Sequence, residues 1–380
     1  MELKSYTAQE LWDWAFGSVP KFLLLDVRND KDFARSKVEA PGLWVQNLSY
    51  IDFIEEEAES LGKVAAQKDQ PVRIVCAKDG SARYVAEVLV KAGFSNVASL
   101  AGGITTWGDL LVHKLVHLDQ EFELYQFQRP GKGSLSYALV GHAQMWVFDP
   151  ARVLEPYLTL AKSKGVVITN LFETHLQADY VSGGKALAAA TGAKLWGHPG
   201  DFAGADYKIG PVTDHQNWEL SKNLAVTAIH TPGHTPGSTS YQIAGTFLLT
   251  GDALLIHSLG RPDLGGMWEP WAKEEFVTLE TKIKAWPDSQ ILLPGHFSDW
   301  TERNPQGLFA RSLGEVKALN PEIFLPMKED EFLAYIQGRV RPQPEEYSVI
   351  RTLNLGQGEK SEAELKELDL GKNQCAASTH

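Results

Sequence analysis

The sequence predicts two domains of different class. An amino-terminal α/β domain, a parallel sheet flanked by helices, is followed by an α+β sandwich with helices on its outer faces. Three observations predict this. The 380 residues exceed what one hydrophobic core usually organises. Over roughly the first 110 residues, a common domain size, short apolar runs alternate with amphipathic stretches, as strands joined by helices in a parallel sheet do. Beyond Trp107 the rhythm changes to strand, turn, strand, which opens a new domain.

Composition narrows the class. Hydrophobic residues make up 43% and charged residues 22%, as in globular proteins that fold. The formal charge of -12 argues against nucleic acid or an anionic membrane as partner, because phosphate surfaces reward clustered Lys and Arg. Cys76 and Cys375 are too few for a disulfide framework and fit a reducing cytoplasm. Met1 to Trp12 carries Glu2, Lys4 and Glu10 where an export signal needs an apolar run, and no stretch approaches the roughly 20 apolar residues of a membrane helix.

In the first domain, strands are expected at Phe22 to Val27 and Arg73 to Cys76, with a helix over Ser81 to Ala92. Cys76 ends an apolar strand and precedes the loop Ala77-Lys78-Asp79-Gly80 and that helix. Loop N–H groups, the positive end of the helix dipole, Lys78 and Arg83 would all lower its thiol pKa and make it nucleophilic. The same pattern also suits a small buried hydrophobe.

Further residues extend this reading. Leu25-Asp26-Val27-Arg28, Phe33, Ala40-Pro41-Gly42, and Leu100-Ala101-Gly102-Gly103 with Trp107 resemble the entry strand, following loop and closing helix of a rhodanese domain. The resemblance implies that Cys76 carries sulfane sulfur as a persulfide. One departure stands out: rhodaneses often place Arg five residues after the Cys, and this chain has Ser81, with Arg83 the next guanidinium. A persulfide is then at least as suitable a sulfur donor or acceptor as thiosulfate.

In the second domain, strands are expected over Glu121 to Gln128, Leu135 to Val140, Met145 to Phe148 and Val166 to Phe172. Four strand-end loops then present ligand-type side chains: His175 in Thr174-His175-Leu176-Gln177-Ala178-Asp179-Tyr180, His234 in Thr231-Pro232-Gly233-His234, Asp252 in Thr250-Gly251-Asp252, and His296 in Pro294-Gly295-His296. Loops of this kind bring imidazoles and carboxylates to one metal when they converge. Any one alone also reads as a hydrogen-bonded loop residue. His198, His215, His230 and His257 fall outside the pattern and read as ordinary surface or core histidines.

The series resembles the metallo-β-lactamase superfamily from about His117 to Pro321, which implies an αββα sandwich with its metal at one edge. The family's first motif reads His-x-His-x-Asp-His, whereas this chain has Gln177 and Tyr180 at the second and last ligand positions. Persulfide dioxygenase members bind one iron through the positions occupied here by His175, His234 and Asp252, two imidazoles and a carboxylate as in non-haem Fe(II) oxygenases. In that branch Arg261 and Asp263 would shape the active-site rim, although a surface ion pair is the plainer reading. Asp179 and His296 would orient ligands or water, or be relicts of a second metal site. Tyr180 would donate a hydrogen bond at the iron or fill the space of the missing ligand.

The resemblance implies an oxidoreductase of sulfur metabolism. A low-molecular-weight thiol persulfide, of glutathione, another thiol or coenzyme A, and O₂ become sulfite and thiol at one Fe(II) per chain, with sulfur transfer through Cys76. The alternatives are a zinc-dependent thioester hydrolase resembling glyoxalase II and a non-catalytic sulfur carrier or sensor. The expected domains are 1–116 and 117–325, followed by an extension over 326–356 and a flexible tail over 357–380, where no apolar face offsets the ordering entropy.

Overall fold

The structure, a computed structural model, describes residues 4–17 and 21–377. The chain falls into two compact units. One comprises Met1–Leu110, Arg129–Lys132 and Glu362–Lys372; the other comprises Leu111–Gln128, Gly133–Ser361 and Asn373–His380.

In the first unit, the described residues form a parallel sheet in the order Lys4–Tyr6, Val97–Leu100, Val72–Val75, Leu23–Asp26, Trp44–Asn47. The strand Leu23–Asp26 is buried at every position, as a central parallel strand covered on both faces must be. The helix Gly80–Lys91 buries Ala82, Val85, Ala86 and Leu89, the spacing of one helical face, against Leu25 and Ile74. The helix Ala8–Phe16 opens with a capping box: Glu10 N donates to Thr7 Oγ1 at 3.1 Å, and Thr7 N donates to Glu10 Oε2 at 2.7 Å.

The second unit has two mixed sheets. One runs in the order Gly210–Pro211, Lys194–Gly197, Val167–Phe172, Gln144–Phe148, Ser134–Gly141, Glu123–Arg129, Val112–Leu118. The other runs Asn217–Ser221, Leu224–His230, Thr239–Ile243, Phe247–Gly251, Ile291–Pro294, Arg311–Ser312. Leu124, Leu139, Phe148 and Phe172 of the first share one core with Val226, Tyr241 and Leu248 of the second. The helices Glu155–Lys164 and Gly184–Thr191 bury Tyr157, Leu160 and Leu187 against Ile168 and Leu171. The helices Trp268–Thr281 and Leu313–Leu319 add Ala272, Leu279 and Val316 to the shared core. These are the predicted helix-flanked sheets.

One expectation for the carboxyl-terminal third needs correction. The extension over 326–356 packs into the second unit: Phe332 and Ile336 of the helix Glu329–Gln337 join the shared core, and Tyr347 and Ile350 of the helix Glu346–Asn354 are buried. The stretch 357–377, however, is not a flexible tail. The helix Glu362–Leu368 buries none of its residues. Its segment is tied within the first unit by Arg35 with Glu367 at 2.5 Å, Lys372 with Glu39 at 3.0 Å and Arg129 with Asp369 at 3.0 Å. Residues beyond it pair by backbone with the second unit, through the bridge of Gly260 with Ala376 and Ala377 N donating to Leu259 O at 2.9 Å. Polar partners far away in sequence order this stretch, and local hydropathy does not register them. Among the described residues, no helix is long and apolar enough to cross a membrane.

Candidate metal centre

Four strands deliver the four predicted loops at their carboxyl ends. His175 follows Val167–Phe172, His234 follows Leu224–His230, Asp252 follows Phe247–Gly251 and His296 follows Ile291–Pro294. The structure brings the first three together: one ligand atom from each of His175, His234 and Asp252 lies within 4.8 Å of the others, all buried. His175 Nε2 is 3.7 Å and His234 Nε2 3.5 Å from Asp252 Oδ2. Two donors each about 2.1 Å from one ion would stand roughly 3.0–3.5 Å apart, so the 3.5 Å separation is at the edge of that range and the 3.7 Å one just outside it, and a small approach of His175 would let one ion be shared.

The neighbours set which nitrogen faces inward. His234 Nδ1 donates to the Arg261 carbonyl at 2.9 Å, which leaves Nε2 as the donor atom. Thr174 Oγ1 donates to Asp149 Oδ2 at 2.9 Å and so accepts from His175 Nδ1 at 2.9 Å. His175 Nε2 is then a buried nitrogen without a hydrogen-bond partner, aimed at the other two ligands. Burial pushes the His175 imidazole down to about 3 and lowers His234 as well, so both are neutral near pH 7. Burial alone would raise Asp252, but His296, His175 and His234 together hold its carboxyl well below the usual carboxylate range. Two neutral imidazoles and one carboxylate suit a divalent cation.

The backbone is shaped to the same end. Gly251 adopts φ 52°, and a Cβ there would lie 2.5 Å from Thr174 Oγ1. A Cβ on Gly260 would lie 2.2 Å from the Asp252 carbonyl and 2.7 Å from His234 Nδ1, so only glycine permits this approach.

Sequence reasoning missed Asp201. Its carboxylate accepts from Leu176 N at 2.8 Å on one side, and from Thr235 Oγ1 at 2.7 Å and Gly237 N at 2.7 Å on the other. One side chain therefore clamps the His175 loop to the His234 loop. No local signal marks it, because Pro199-Gly200-Asp201 reads only as the start of a short helix.

The remaining predicted residues separate into groups. Asp179 and His296 meet each other and Cys375 in a second buried group whose ligand atoms lie within 4.8 Å. Tyr180 is buried with its hydroxyl 3.4 Å from the Asp149 carbonyl, and Gln177 is buried beside it in sequence. Arg261 and Asp263 are not the surface ion pair of the plainer reading: Arg261 is 0% and Asp263 10% exposed, with Arg261 Nε donating to Asp263 Oδ1 at 2.6 Å. His198, His215, His230 and His257 stand outside both groups.

Cys76 lies in the other unit and corrects one expectation. Its side chain is buried, and burial pushes the thiol up, outweighing the hydrogen bonds from the Ala82 and Lys78 backbone that lower it. Lys78 meets the thiol through its carbonyl, which accepts from Sγ, while Arg83 is exposed and pairs with Glu87 at 3.5 Å. The cations that sequence proximity suggested are not what sets this thiol's acidity.

Comparisons with known proteins bear on both units. Residues 7–110 match the rhodanese-like domain model and residues 141–315 the metallo-beta-lactamase superfamily model. A hydroxyacylglutathione hydrolase of Rhodospirillum rubrum is 31% identical over 163 residues, 42% of this chain; the match spans only 58% of that hydrolase's length. The mitochondrial persulfide dioxygenase ETHE1 of Mus musculus is 26% identical over 198 residues, 52% of this chain and 72% of the relative. The structure of a metallo-beta-lactamase from Staphylococcus aureus subsp. aureus COL superposes with a TM-score of 0.56 at 26% identity, covering 62% of this chain and 73% of the other.

Proposed function

In a chain that joins a rhodanese-like domain, residues 7–110, to a metallo-beta-lactamase domain, residues 141–315, we propose a persulfide dioxygenase coupled to sulfur transfer through Cys76. One observation carries the reading. His175, His234 and Asp252 form a complete two-imidazole, one-carboxylate group, while Gln177 and Tyr180 stand where a two-zinc hydrolase has imidazoles. The Tyr180 hydroxyl is turned to the Asp149 carbonyl, so the side chain fills space rather than replacing a ligand.

His175, His234 and Asp252 would hold one ferrous ion, which supplies the redox chemistry for a persulfide to take up both atoms of O₂. The chain's own groups prepare that site. Thr174 and the Arg261 carbonyl fix the Nδ1 protons, so both imidazoles offer Nε2. Arg261 is a positioning residue, held by Asp263 and acting through its carbonyl on His234. All three ligand residues are buried. The balanced conversion is R–S–SH, O₂ and water to R–SH and sulfite, with release of two protons. The substrate is a low-molecular-weight thiol persulfide. Cys76 either supplies its sulfur or accepts it.

A second reading, a glyoxalase II-like thioester hydrolase, is favoured by the 31% identity to the R. rubrum enzyme. One experiment separates them. Anaerobically iron-loaded protein is given glutathione persulfide while O₂ uptake and sulfite are followed, and zinc-loaded protein is given S-lactoylglutathione. Uptake matched by sulfite and abolished in His234→Ala supports the dioxygenase. Thioester cleavage with no O₂ uptake assigns the hydrolase, and neither activity leaves the sulfur carrier.

A further inference from the structure

We propose that Lys114 and Arg303, which converge on Gly307 within the second unit, form a binding site for a small oxyanion such as phosphate or sulfate. Three segments build it. Lys114 lies on the strand Val112–Leu118, opposite Gln126 of the strand Glu123–Arg129. Arg303 follows the turn Trp300–Glu302, and Gly307 closes the loop Asn304-Pro305-Gln306-Gly307-Leu308. A Cβ on Gly307 would lie 3.0 Å from Arg303 Nη2 and 3.2 Å from Lys114 Nζ, and the glycine adopts φ 81°. A side chain there would fill the space that both cations face, so the glycine keeps a recess open between them.

The recess is held by polar contacts and not left to a loose loop. The Gly307 carbonyl accepts from Gln128 Nε2 at 2.8 Å and from Arg303 Nε at 3.0 Å, while Gly307 N donates to the Asn304 carbonyl at 2.8 Å. Gln126 fixes the chain two residues on: its Nε2 donates to the Phe309 carbonyl at 2.9 Å, and its Oε1 accepts from Phe309 N at 3.0 Å. Arg303 therefore uses Nε to grip the loop and brings Nη2 to the side of Gly307 where Lys114 stands.

What faces Lys114 is a charge of its own sign. Among the described residues its ammonium donates no hydrogen bond and meets no carboxylate. Burial, and then the Arg303 charge, lower the Lys114 pKa, and burial lowers that of Arg303. The chain has 48 acidic residues against 36 basic ones, and elsewhere Lys63, Lys164, Lys282, Lys284 and Lys317 each reach a carboxylate. Two half-buried cations brought together repel each other, and a doubly charged anion between them offsets that cost. An oxyanion does so with several acceptor oxygens, each able to take a charge-assisted hydrogen bond of about 2.7–2.9 Å.

The test is calorimetric titration of the full chain with inorganic phosphate and with sulfate at low ionic strength. One saturable equivalent is expected of the native protein. Lys114→Met should weaken it about tenfold or more, the loss of one charge-assisted hydrogen bond. Without phosphate this variant should melt no lower than the native protein, because a repulsion has been removed, and added phosphate should raise its melting temperature less. His234→Ala should keep the binding, so failure here and failure of the dioxygenase reading are separately visible. No saturable binding by the native protein, binding undiminished in Lys114→Met, or binding lost in His234→Ala would overturn the proposal. Phenyl phosphate distinguishes the source of the anion: tighter binding than phosphate assigns the head group of a larger ligand, and equal or weaker binding assigns a free oxyanion.

Discussion

Asp201 offers a sharp test of how the first ligand group is held. Replacing it with Ala removes three acceptor contacts at once, to Leu176 N, Thr235 Oγ1 and Gly237 N. Leu176 and Gly237 are buried, so their N–H groups have no water to turn to. Each unsatisfied donor costs about 1–3 kcal/mol, or about 2–6 kcal/mol for the two. Much of that destabilises the two loops whether or not a metal is bound. The part that falls on the metal is the loss of register between His175 and His234. Removing such a support typically weakens metal binding about 10–100-fold, or about 1.4–2.8 kcal/mol. Asp201→Asn keeps one acceptor oxygen and should fall between native and Ala. The assay is competition for Co²⁺ or anaerobic Fe²⁺ against a chelator of known affinity, on variants whose circular dichroism matches the native protein. An Ala variant that binds within about twofold of native, well under the loss expected of a lost support, would refute the clamp.

Two further outcomes follow from the first unit. Because burial favours the neutral Cys76 thiol, its alkylation by iodoacetamide should stay slow through neutral pH and rise only in the alkaline range. Peptide mass spectrometry resolves Cys76 from Cys375, and an inflection below about 8.5, the free-thiol value, would contradict burial as the dominant influence. Asp369→Ala should leave the buried Arg129 guanidinium with the Gly108 carbonyl at 2.7 Å and Asp109 at 3.7 Å. Breaking a buried pair costs about 3–5 kcal/mol, lessened here by Asp109, so the urea midpoint of this unit should drop; an unchanged midpoint would show the pair to be worth little.

The parts of the site legible in the sequence are those whose chemistry and local geometry coincide. His175, His234, Asp252 and His296 each sit in a turn-rich loop at the end of an apolar run, so the residue type and its delivery are both local. Cys375 is not legible in this way. Its partners lie more than 75 residues earlier at His296 and further still at Asp179, and its own neighbourhood is polar. Asp201 escapes for a related reason, since a carboxylate that ties two loops leaves no mark in either. The acidity of Cys76 is misjudged because neighbours in sequence are not neighbours of the sulfur: Arg83 points outward, and Lys78 contributes a carbonyl. The fold classes survive these misses because they rest on periodicity over many residues.

The discontinuous make-up of the first unit has a consequence for how the chain is made. Synthesis releases Met1 to Leu110 early, yet this unit also needs Arg129–Lys132 and, much later, Glu362–Lys372. Until Asp369 leaves the ribosome, Arg129 lacks the carboxylate 3.0 Å away that neutralises its buried charge. The amino-terminal unit therefore has to wait, partly assembled, while the sandwich is translated. A stall or premature stop within the later segment would release a chain with a faulty beginning as well as a missing end.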